Sequence, residues 1–318
     1  MSNVALGVDL GGTNLRAAVV DSTGRLLYET STSTLANEGV DSVIERIANA
    51  ILEAATACRV DANVPVGVAA PGPLDPRTGV IFFTPNLPGW RDVPLGDRLA
   101  RLTGRHIVLG NDANAAALGE FYFGSGRDVR NMIYIGLGTG IGGGVIADGR
   151  LIDGARGLGG ELGHVTVSID GPRCTCGSIG CIEAYCSAWS ITRDAQHLVS
   201  SGRGLAIAEA ARGQPVGPRA VGAAARLGDP DALRLLERAG TALGAGIANF
   251  INIFNPELIV IGGGLSEIGE PLLEPVRRAI ATYAMPAIRQ DARLVASTLG
   301  IKSGIIGSAA LVFHENQL

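Results

Sequence analysis

Twice along this chain a short apolar strand runs into a glycine-threonine turn and returns as a second strand. The first instance is Val4–Asp9, then Gly11, Gly12 and Thr13, then Leu15–Val20, with a third strand over Leu26–Thr30 after the turn Asp21–Gly24. The second is Met132–Leu137, then Gly138, Thr139 and Gly140, then Gly142–Ile146, a turn at Asp148 and Gly149, and a third strand over Arg150–Ile152. β-Branched runs bounded by Gly, Asp and Ser predict strands, and connections this short predict hairpins rather than crossovers. The repetition predicts two copies of one architecture without close repetition of sequence. Bare glycines let backbone approach a ligand, successive N–H groups can cradle an anion, and the Thr13 hydroxyl adds a donor. Asp9, at the strand end, suits a Mg²⁺ ion held through water. The competing reading of the first turn is a hairpin that merely needs positive φ. The stretch Gly136–Gly144, GLGTGIGGG, contains G-x-G-x-x-G at Gly138, Gly140 and Gly143. A dinucleotide fold would need a helix next, whereas VIADGRLI reads as strand, turn and strand. The pattern predicts two hairpin loops that grip a nucleotide's phosphates. Gly262–Gly264, after a strand over Leu258–Ile261, fits either the base and ribose side or a plain strand-to-helix turn.

Composition removes several alternatives. Lys302 is the only lysine, and Ile301 precedes it, so no G-x-x-x-x-G-K-[ST] loop and no protein-kinase lysine set can exist here. The 318 residues allow two domains of ordinary size or one large one. With 47% hydrophobic and 18% charged residues the chain is globular rather than disordered. No apolar run reaches the roughly 20 residues of a membrane helix, and the start MSNVALGVDLGGT lacks the basic flank of a signal peptide, so neither is expected. A net charge of −4 gives no electrostatic reason to bind nucleic acid. The 46 glycines are about twice the usual share of roughly 7%, and they cluster, which favours close backbone approach over linker flexibility.

Between and after the hairpins the pattern changes. Val40, Val43, Ile44, Ile47 and Ile51 share one helical face. Val64–Ala70 reads as a strand leading into Pro71, Gly72 and Pro73. Ile107–Leu109 reads as a strand closed by Asn111 and Asp112, and Ala113–Glu120 as a helix. The region 155–183 has no periodicity. The longest helix runs from about Asp231 to Phe254, with Leu235, Leu236, Ala239, Leu243, Ile247, Phe250 and Ile251 inward, and Asn255-Pro256 stops it. A last helix covers about Ile305–Glu315.

Three of five cysteines, Cys174, Cys176 and Cys181, form C-x-C-x4-C, with His164 ten residues upstream. Three thiolates and an imidazole make a closed tetrahedral zinc site with no open catalytic position, and Pro172, Gly177 and Gly180 supply tight turns. The rivals are a disulfide, against which the odd count and the expected cytoplasmic location stand, and Cys186 in place of His164. Cys58 falls in a helical pattern and is expected to be buried and inert. Asn111 and Asp112 stand at a strand end, where α/β sheets present reactive groups. Glu161 precedes His164 by three residues and Glu183 follows Cys181 by two, so the metal loop would gather two carboxylates and an imidazole. Such a set suits a polyhydroxylated ligand, and a carboxylate base is what a hydroxyl attacking a phosphoryl group needs.

The motifs DLGGTNLR, TPNLPGW, NDANAAALGE, GLGTGIGGG, GGELGH and CTCGSIGCIE occur in order over residues 9 to 183 and resemble the ROK family of sugar kinases and repressors, most of all its bacterial glucokinases. Ile259–Gly264 resembles the family's adenosine-side segment, which extends the likeness over nearly the whole chain. The resemblance implies an α/β fold of the actin-like or Hsp70-like kind: two ribonuclease-H-like domains with an interdomain cleft. It implies a smaller domain of residues 1–118 plus about 304–318 and a larger one of 119–303. It implies ATP-dependent phosphorylation of a hexose 6-hydroxyl, glucose above all, with N-acetylmannosamine, N-acetylglucosamine or fructose as alternatives. Asp112 matches the catalytic base. Asn86, Asn111, Asp112, Glu161, His164 and Glu183 match sugar-binding residues. Gly11, Gly12, Thr13, Gly138, Thr139 and Gly140 match the phosphate loops, Gly263 and Gly264 the nucleotide side, and Asp9 the acid associated with Mg²⁺. His164, Cys174, Cys176 and Cys181 match the ligands of a structural Zn²⁺. The expected partners are sugar and ATP, in a cytoplasmic homo-oligomer, a dimer or tetramer. The family's repressors usually carry an N-terminal DNA-binding segment; with the phosphate motif at residue 9 and Asp112 present, a kinase is expected over a sugar-sensing regulator.

Overall fold

β1 (Val4–Leu10) is apolar along almost its whole length because it is covered on both faces. In the computed structural model, which describes residues 4–84 and 86–315, it is the central strand of a five-stranded sheet. β2 (Asn14–Asp21) and β3 (Leu26–Ser33) extend it as an antiparallel meander. α1 (Val40–Ala57) follows, then β4 (Val66–Ala70), which lies parallel to β1 on its other side. The chain next forms a small antiparallel sheet of β5 (Leu74–Asp75), β6 (Val80–Phe83) and β7 (Arg91–Val93), then α2 (Leu95–Thr103). β8 (Ile107–Asn111) returns parallel to β4 and leads directly into α3 (Asp112–Phe123). The first sheet therefore has the order β3-β2-β1-β4-β8.

The second sheet repeats that order. β9 (Met132–Leu137), β10 (Ile141–Ala147) and β11 (Arg150–Leu151) form the meander. A long excursion carries α4 (Glu183–Cys186), α5 (Ala188–Ser200), α6 (Leu205–Ala211), α7 (Pro218–Arg226) and α8 (Pro230–Phe254). β12 (Leu258–Gly262), α9 (Glu270–Tyr283), α10 (Pro286–Arg289), β13 (Arg293–Ala296) and α11 (Ser303–Glu315) complete the chain. The order is β11-β10-β9-β12-β13, with β12 and β13 parallel. Each sheet has its third, second, first, fourth and fifth strands side by side, so the duplication inferred from two hairpins is a duplication of topology. It is the paired ribonuclease-H-like arrangement of the actin-like fold. Helix follows neither Gly-rich turn; β10 follows the second, which excludes the dinucleotide reading.

Contacts divide the chain into two compact units: Met1–Tyr134 with Gly144–Gly160 and Ser297–Leu318, and Ile135–Gly143 with Glu161–Ala296. In the first unit, α1 lays Val43, Ile44, Ile47 and Ile51 into one core with Leu6, Val8, Leu15, Val66 and Val68. α11 packs on β1 and β4. A Cβ on Gly7 would lie 2.5 Å from the Ser308 Oγ, and one on Gly67 would overlap the Ser308 carbonyl, so glycine is required where this helix meets the strands. In the second unit α8 buries Leu235, Leu236, Ala239, Leu243, Ile247, Phe250 and Ile251, the stripe its sequence predicts. Asp229 caps its start by accepting from the Ala232 amide at 2.8 Å, and Asn255, at φ 46°, ends it. No element is legible in the sequence between Ala70 and Ile107, where β5, β6, β7 and α2 lie. Their strands are two to four residues long, too short to show a period. Among the described residues no helix is long and apolar enough to cross a membrane.

Candidate active site and metal centre

On the first unit, β8 ends at Asn111 and α3 starts at Asp112. The Asn111 side chain accepts from the amides of Ala113 at 2.9 Å and Asn114 at 3.2 Å, which satisfies donors the helix leaves open. Asp112 is exposed, and its Oδ1 accepts from the Ala113 amide at 2.8 Å. An ionised carboxylate there is favoured by the positive end of the helix dipole.

The β1–β2 turn is held by Gly11, whose amide donates to the Asn14 carbonyl at 2.9 Å, and by Thr34, which donates to the carbonyls of Gly11 and Thr13. Neither Gly11 nor Gly12 has positive φ, so the turn does not need glycine for its torsions. The need is space. A Cβ on Gly12 would lie 2.9 Å from both the Cβ and the carbonyl oxygen of Asn86. Gly12 thereby seats Asn86, joining an expected phosphate loop to an expected sugar ligand. Asp9 and Arg16 are opposite each other in the β1–β2 register and form an ion pair at 2.5 Å; Arg16 also donates to the Ile301 carbonyl at 3.1 Å. Sequence reasoning missed Arg16, although counting residues back from the turn pairs it with Asp9.

On the second unit, the Gly138 amide donates to the Gly140 carbonyl at 2.9 Å, closing the second turn. The first turn of α5 braces it: Ala188 and Trp189 donate their amides to the carbonyls of Gly138 and Thr139. Glu183 ties this hairpin to the cysteine loop. It is only 7% exposed. Its Oε2 accepts from the Ile141 amide at 2.8 Å, while Oε1 accepts from the Thr175 hydroxyl at 3.2 Å, the Trp189 indole N–H at 3.4 Å and the Cys174 thiol at 3.6 Å. A Cβ on Gly140 would overlap that Oε2. Thr175 and Trp189 were not foreseen, because nothing local in the sequence marks them as partners of Glu183. Gly263 and Gly264 follow β12, and the space around a Gly264 Cβ is open.

His164, Cys174, Cys176 and Cys181 bring one ligand atom each to a group in which all lie within 4.8 Å of one another. The Cys176 and Cys181 sulfurs are 3.8 Å apart, and the Cys174 sulfur is 3.7 Å from His164 Nδ1. Sulfurs at about 2.3 Å from a zinc ion stand about 3.8 Å apart at tetrahedral angles, so the donor set fits that ion. The charges fit as well. Burial, then the neighbouring thiols, push the Cys181 thiol up to about 12; burial raises Cys174 too. At Cys176 burial is outweighed by the Ser178 amide and its neighbours, which bring it down to about 7. Three crowded thiols ionise together only against a cation. All five cysteines are free, and Cys186 is fully buried in α4 and outside the group, its thiol pushed up to about 12 by burial. Cys58 is half-buried at the end of α1 rather than fully enclosed. His164 turns its other nitrogen, Nε2, to Glu161 Oε2 at 4.0 Å.

Comparison with known proteins settles the kinship. The model of the ROK family matches residues 5–315. This chain belongs to the ROK family. It is 41% identical over 309 residues to the glucokinase of Thermotoga maritima, covering 96% of each chain. Its structure resembles that of the ROK hexokinase from Thermus thermophilus (TM-score 0.84, 36% identity, 99% of both chains). It also resembles a ROK glucokinase from Streptomyces griseus in complex with glucose and AMPPNP (TM-score 0.81, 34% identity, 97% of this chain and 98% of that one).

The expected ROK site residues thus form two sets. Asn86, Asn111 and Asp112, with the turn Gly11–Thr13 and Asp9, belong to the first unit. Glu161, His164 and Glu183, with the turn Gly138–Gly140, Gly263 and Gly264, belong to the second. Chemically, the first set offers an exposed carboxylate able to take a proton, and the second a loop whose histidine and cysteines could hold a metal, with acceptors for hydroxyl groups.

Proposed function

We propose that this ROK protein phosphorylates the 6-hydroxyl of glucose with ATP. The observation that carries the reading is its match, along nearly the whole chain, to glucokinases and to a glucokinase structure named for its glucose and AMPPNP. The exposed Asp112 at the head of α3 supports the chemistry. In the proposed step the sugar 6-oxygen attacks the γ-phosphorus of ATP, the bond from that phosphorus to the β,γ-bridging oxygen breaks, ADP leaves, and the hydroxyl proton passes to Asp112. The backbone N–H groups of the turns at Gly11–Thr13 and Gly138–Gly140 hold phosphate oxygens, and Gly263 and Gly264 border the nucleotide. Asn86, Asn111, Glu161, His164 Nε2 and Glu183 accept from or donate to the sugar hydroxyls, and Glu183 also ties the cysteine loop to the second hairpin. Asp9 would hold the Mg²⁺ that accompanies ATP, which would supply neutralisation of phosphate charge. His164 Nδ1, Cys174, Cys176 and Cys181 hold a structural Zn²⁺, which fixes the loop geometry. A cytoplasmic homo-oligomer fits this role.

An ADP-release assay at saturating Mg·ATP tests the reading, run separately with glucose, N-acetylglucosamine, N-acetylmannosamine and fructose. Glucose-dependent turnover well above the sugar-free rate is expected. Turnover with another of the four reassigns the substrate; no turnover with any of them, from folded protein with its metal bound, abandons the kinase for a sugar-binding regulator.

A further inference from the structure

Glu120 ends the motif NDANAAALGE, and the phosphoryl-transfer scheme gives it no task. It is fully buried near the end of α3, about 12 Å along that helix from Asp112. A carboxylate taken out of water needs donors, and Glu120 has them on both oxygens. Oε1 accepts from the Leu299 amide at 3.0 Å and from the Ser297 hydroxyl. Oε2 accepts from the Ser125 amide at 2.9 Å and from the Thr298 hydroxyl at 3.3 Å.

All of these donors except the Ser125 amide belong to the segment 297–302, which leads from β13 into α11. The segment has little apolar cover of its own. Thr298, Gly300 and Lys302 are exposed, and Ile301 is 79% exposed. Its order therefore rests on polar ties, and Glu120 is the group that gathers them.

The far end of the segment meets Asp9. The Ile301 carbonyl accepts from Arg16 at 3.1 Å, and Arg16 pairs with Asp9 Oδ2 at 2.5 Å. A Cβ on Gly304 would lie 2.7 Å from that same oxygen, so bare backbone at the start of α11 sets the other side of the carboxylate. α11 in turn meets α3 backbone to backbone, since a Cβ on Gly119 would lie 2.9 Å from the Gly307 Cα. All these residues belong to the first unit.

We infer that Glu120 is a positioning residue for the metal-bound nucleotide: by gripping the segment 297–302 it sets Arg16 and Asp9 beside the β1–β2 turn. The inference rests on the kinase reading, in which Asp9 holds Mg²⁺. A carboxylate is required because each oxygen faces a backbone amide. Glu120→Gln must turn its NH₂ group against the N–H of either Leu299 or Ser125, which loosens one side of the grip.

The test is isothermal titration of the full chain with Mg·ADP, with ADP and no added Mg²⁺, and with glucose. In the parent, Mg·ADP should bind more tightly than ADP. In Glu120→Gln the Kd for Mg·ADP should rise about tenfold or more, with ADP and glucose each within about twofold of the parent. Ser297→Ala, which removes one donor to Glu120, should move Mg·ADP in the same direction by about threefold, and it answers the question if Glu120→Gln does not fold. Ile51→Val, in the core under α1, should lower stability and leave the preference for Mg·ADP as it was. Parent affinity for Mg·ADP in a folded Glu120→Gln or Ser297→Ala protein overturns the inference. An equal loss for Mg·ADP, ADP and glucose also overturns it, because that is the mark of a structural role alone. A parent that binds Mg·ADP no better than ADP overturns it while the kinase reading stands; a parent that binds no Mg·ADP sinks both.

Discussion

A carboxylate at the first position of a helix can stand beside an asparagine that caps the helix. Asp112 is in that position, and Asn111 does the capping. Asp112→Asn keeps the shape and removes the proton acceptor, so kcat with glucose should fall about 10²- to 10⁴-fold while KM for the sugar moves little. Steady-state kinetics decide it, and a near-normal kcat would remove Asp112 from the mechanism. Glu183 presents the opposite case. It is buried, with donors from a hairpin amide, a hydroxyl, an indole and a thiol. Glu183→Ala leaves the Ile141 amide without its acceptor and should cost about 1–3 kcal/mol in urea unfolding. A variant as stable as the parent would show that this carboxylate does not tie hairpin to loop. At this scale the sequence shows local placement but not distant contact. Asn111-Asp112 is visible as a pair at a strand end. The burial of Glu183 is not, since Ile141 lies 42 residues away.

Helix α8 was legible almost to the residue because its ends carry chemical signals: Asp229-Pro230 at the start and Asn255-Pro256 at the stop. Its partner was not legible. α9 lies against it through Gly240 and Gly244, and a Cβ on Gly244 would overlap the Val276 carbonyl and come within 2.6 Å of the Ala279 methyl. Gly244→Ala would gain about 1 kcal/mol of helix propensity, yet the overlap should dominate and leave a net loss of about 1–3 kcal/mol in chemical denaturation. A stabilised variant would mean that the two helices can move apart freely. The same helix carries a pH signal at its first turn. Hydrogen bonds from Arg234, the Gly204 amide and Arg203 hold Asp231 down to about 2 from its ordinary 3.8. Its folded value is the lower one, so its contribution is present above about pH 4 and is lost as pH falls towards 2. Asp231→Asn should therefore flatten the acid limb of stability against pH in that window, a change thermal melts at stepped pH would resolve. An unaltered acid limb would show that the three donors do not hold this carboxylate.

Across the whole molecule, the loop from His164 to Glu183 has almost no regular structure of its own, and on the proposed zinc reading its order depends on the metal. Stripping the metal with a chelator should lower Tm by at least about 5 °C and weaken glucose binding in the same titration, and adding Zn²⁺ back should restore both. Loss of neither would mean that hydrogen bonds such as Cys174 amide to Ser178 carbonyl suffice to hold the loop.

The sequence by itself determined the two hairpin meanders, the strands β4, β8 and β12, the long helix and the residue types of the cysteine–histidine set. These rest on torsional preference, periodicity and donor chemistry, all of which act over a few neighbouring residues. Tertiary structure alone decided that Gly12 is glycine for space rather than torsion, that Cys186 lies outside the cysteine–histidine group, and that Glu183 meets the Ile141 amide. Each of these depends on which distant segments share a face, and close packing settles that only when the whole chain is assembled.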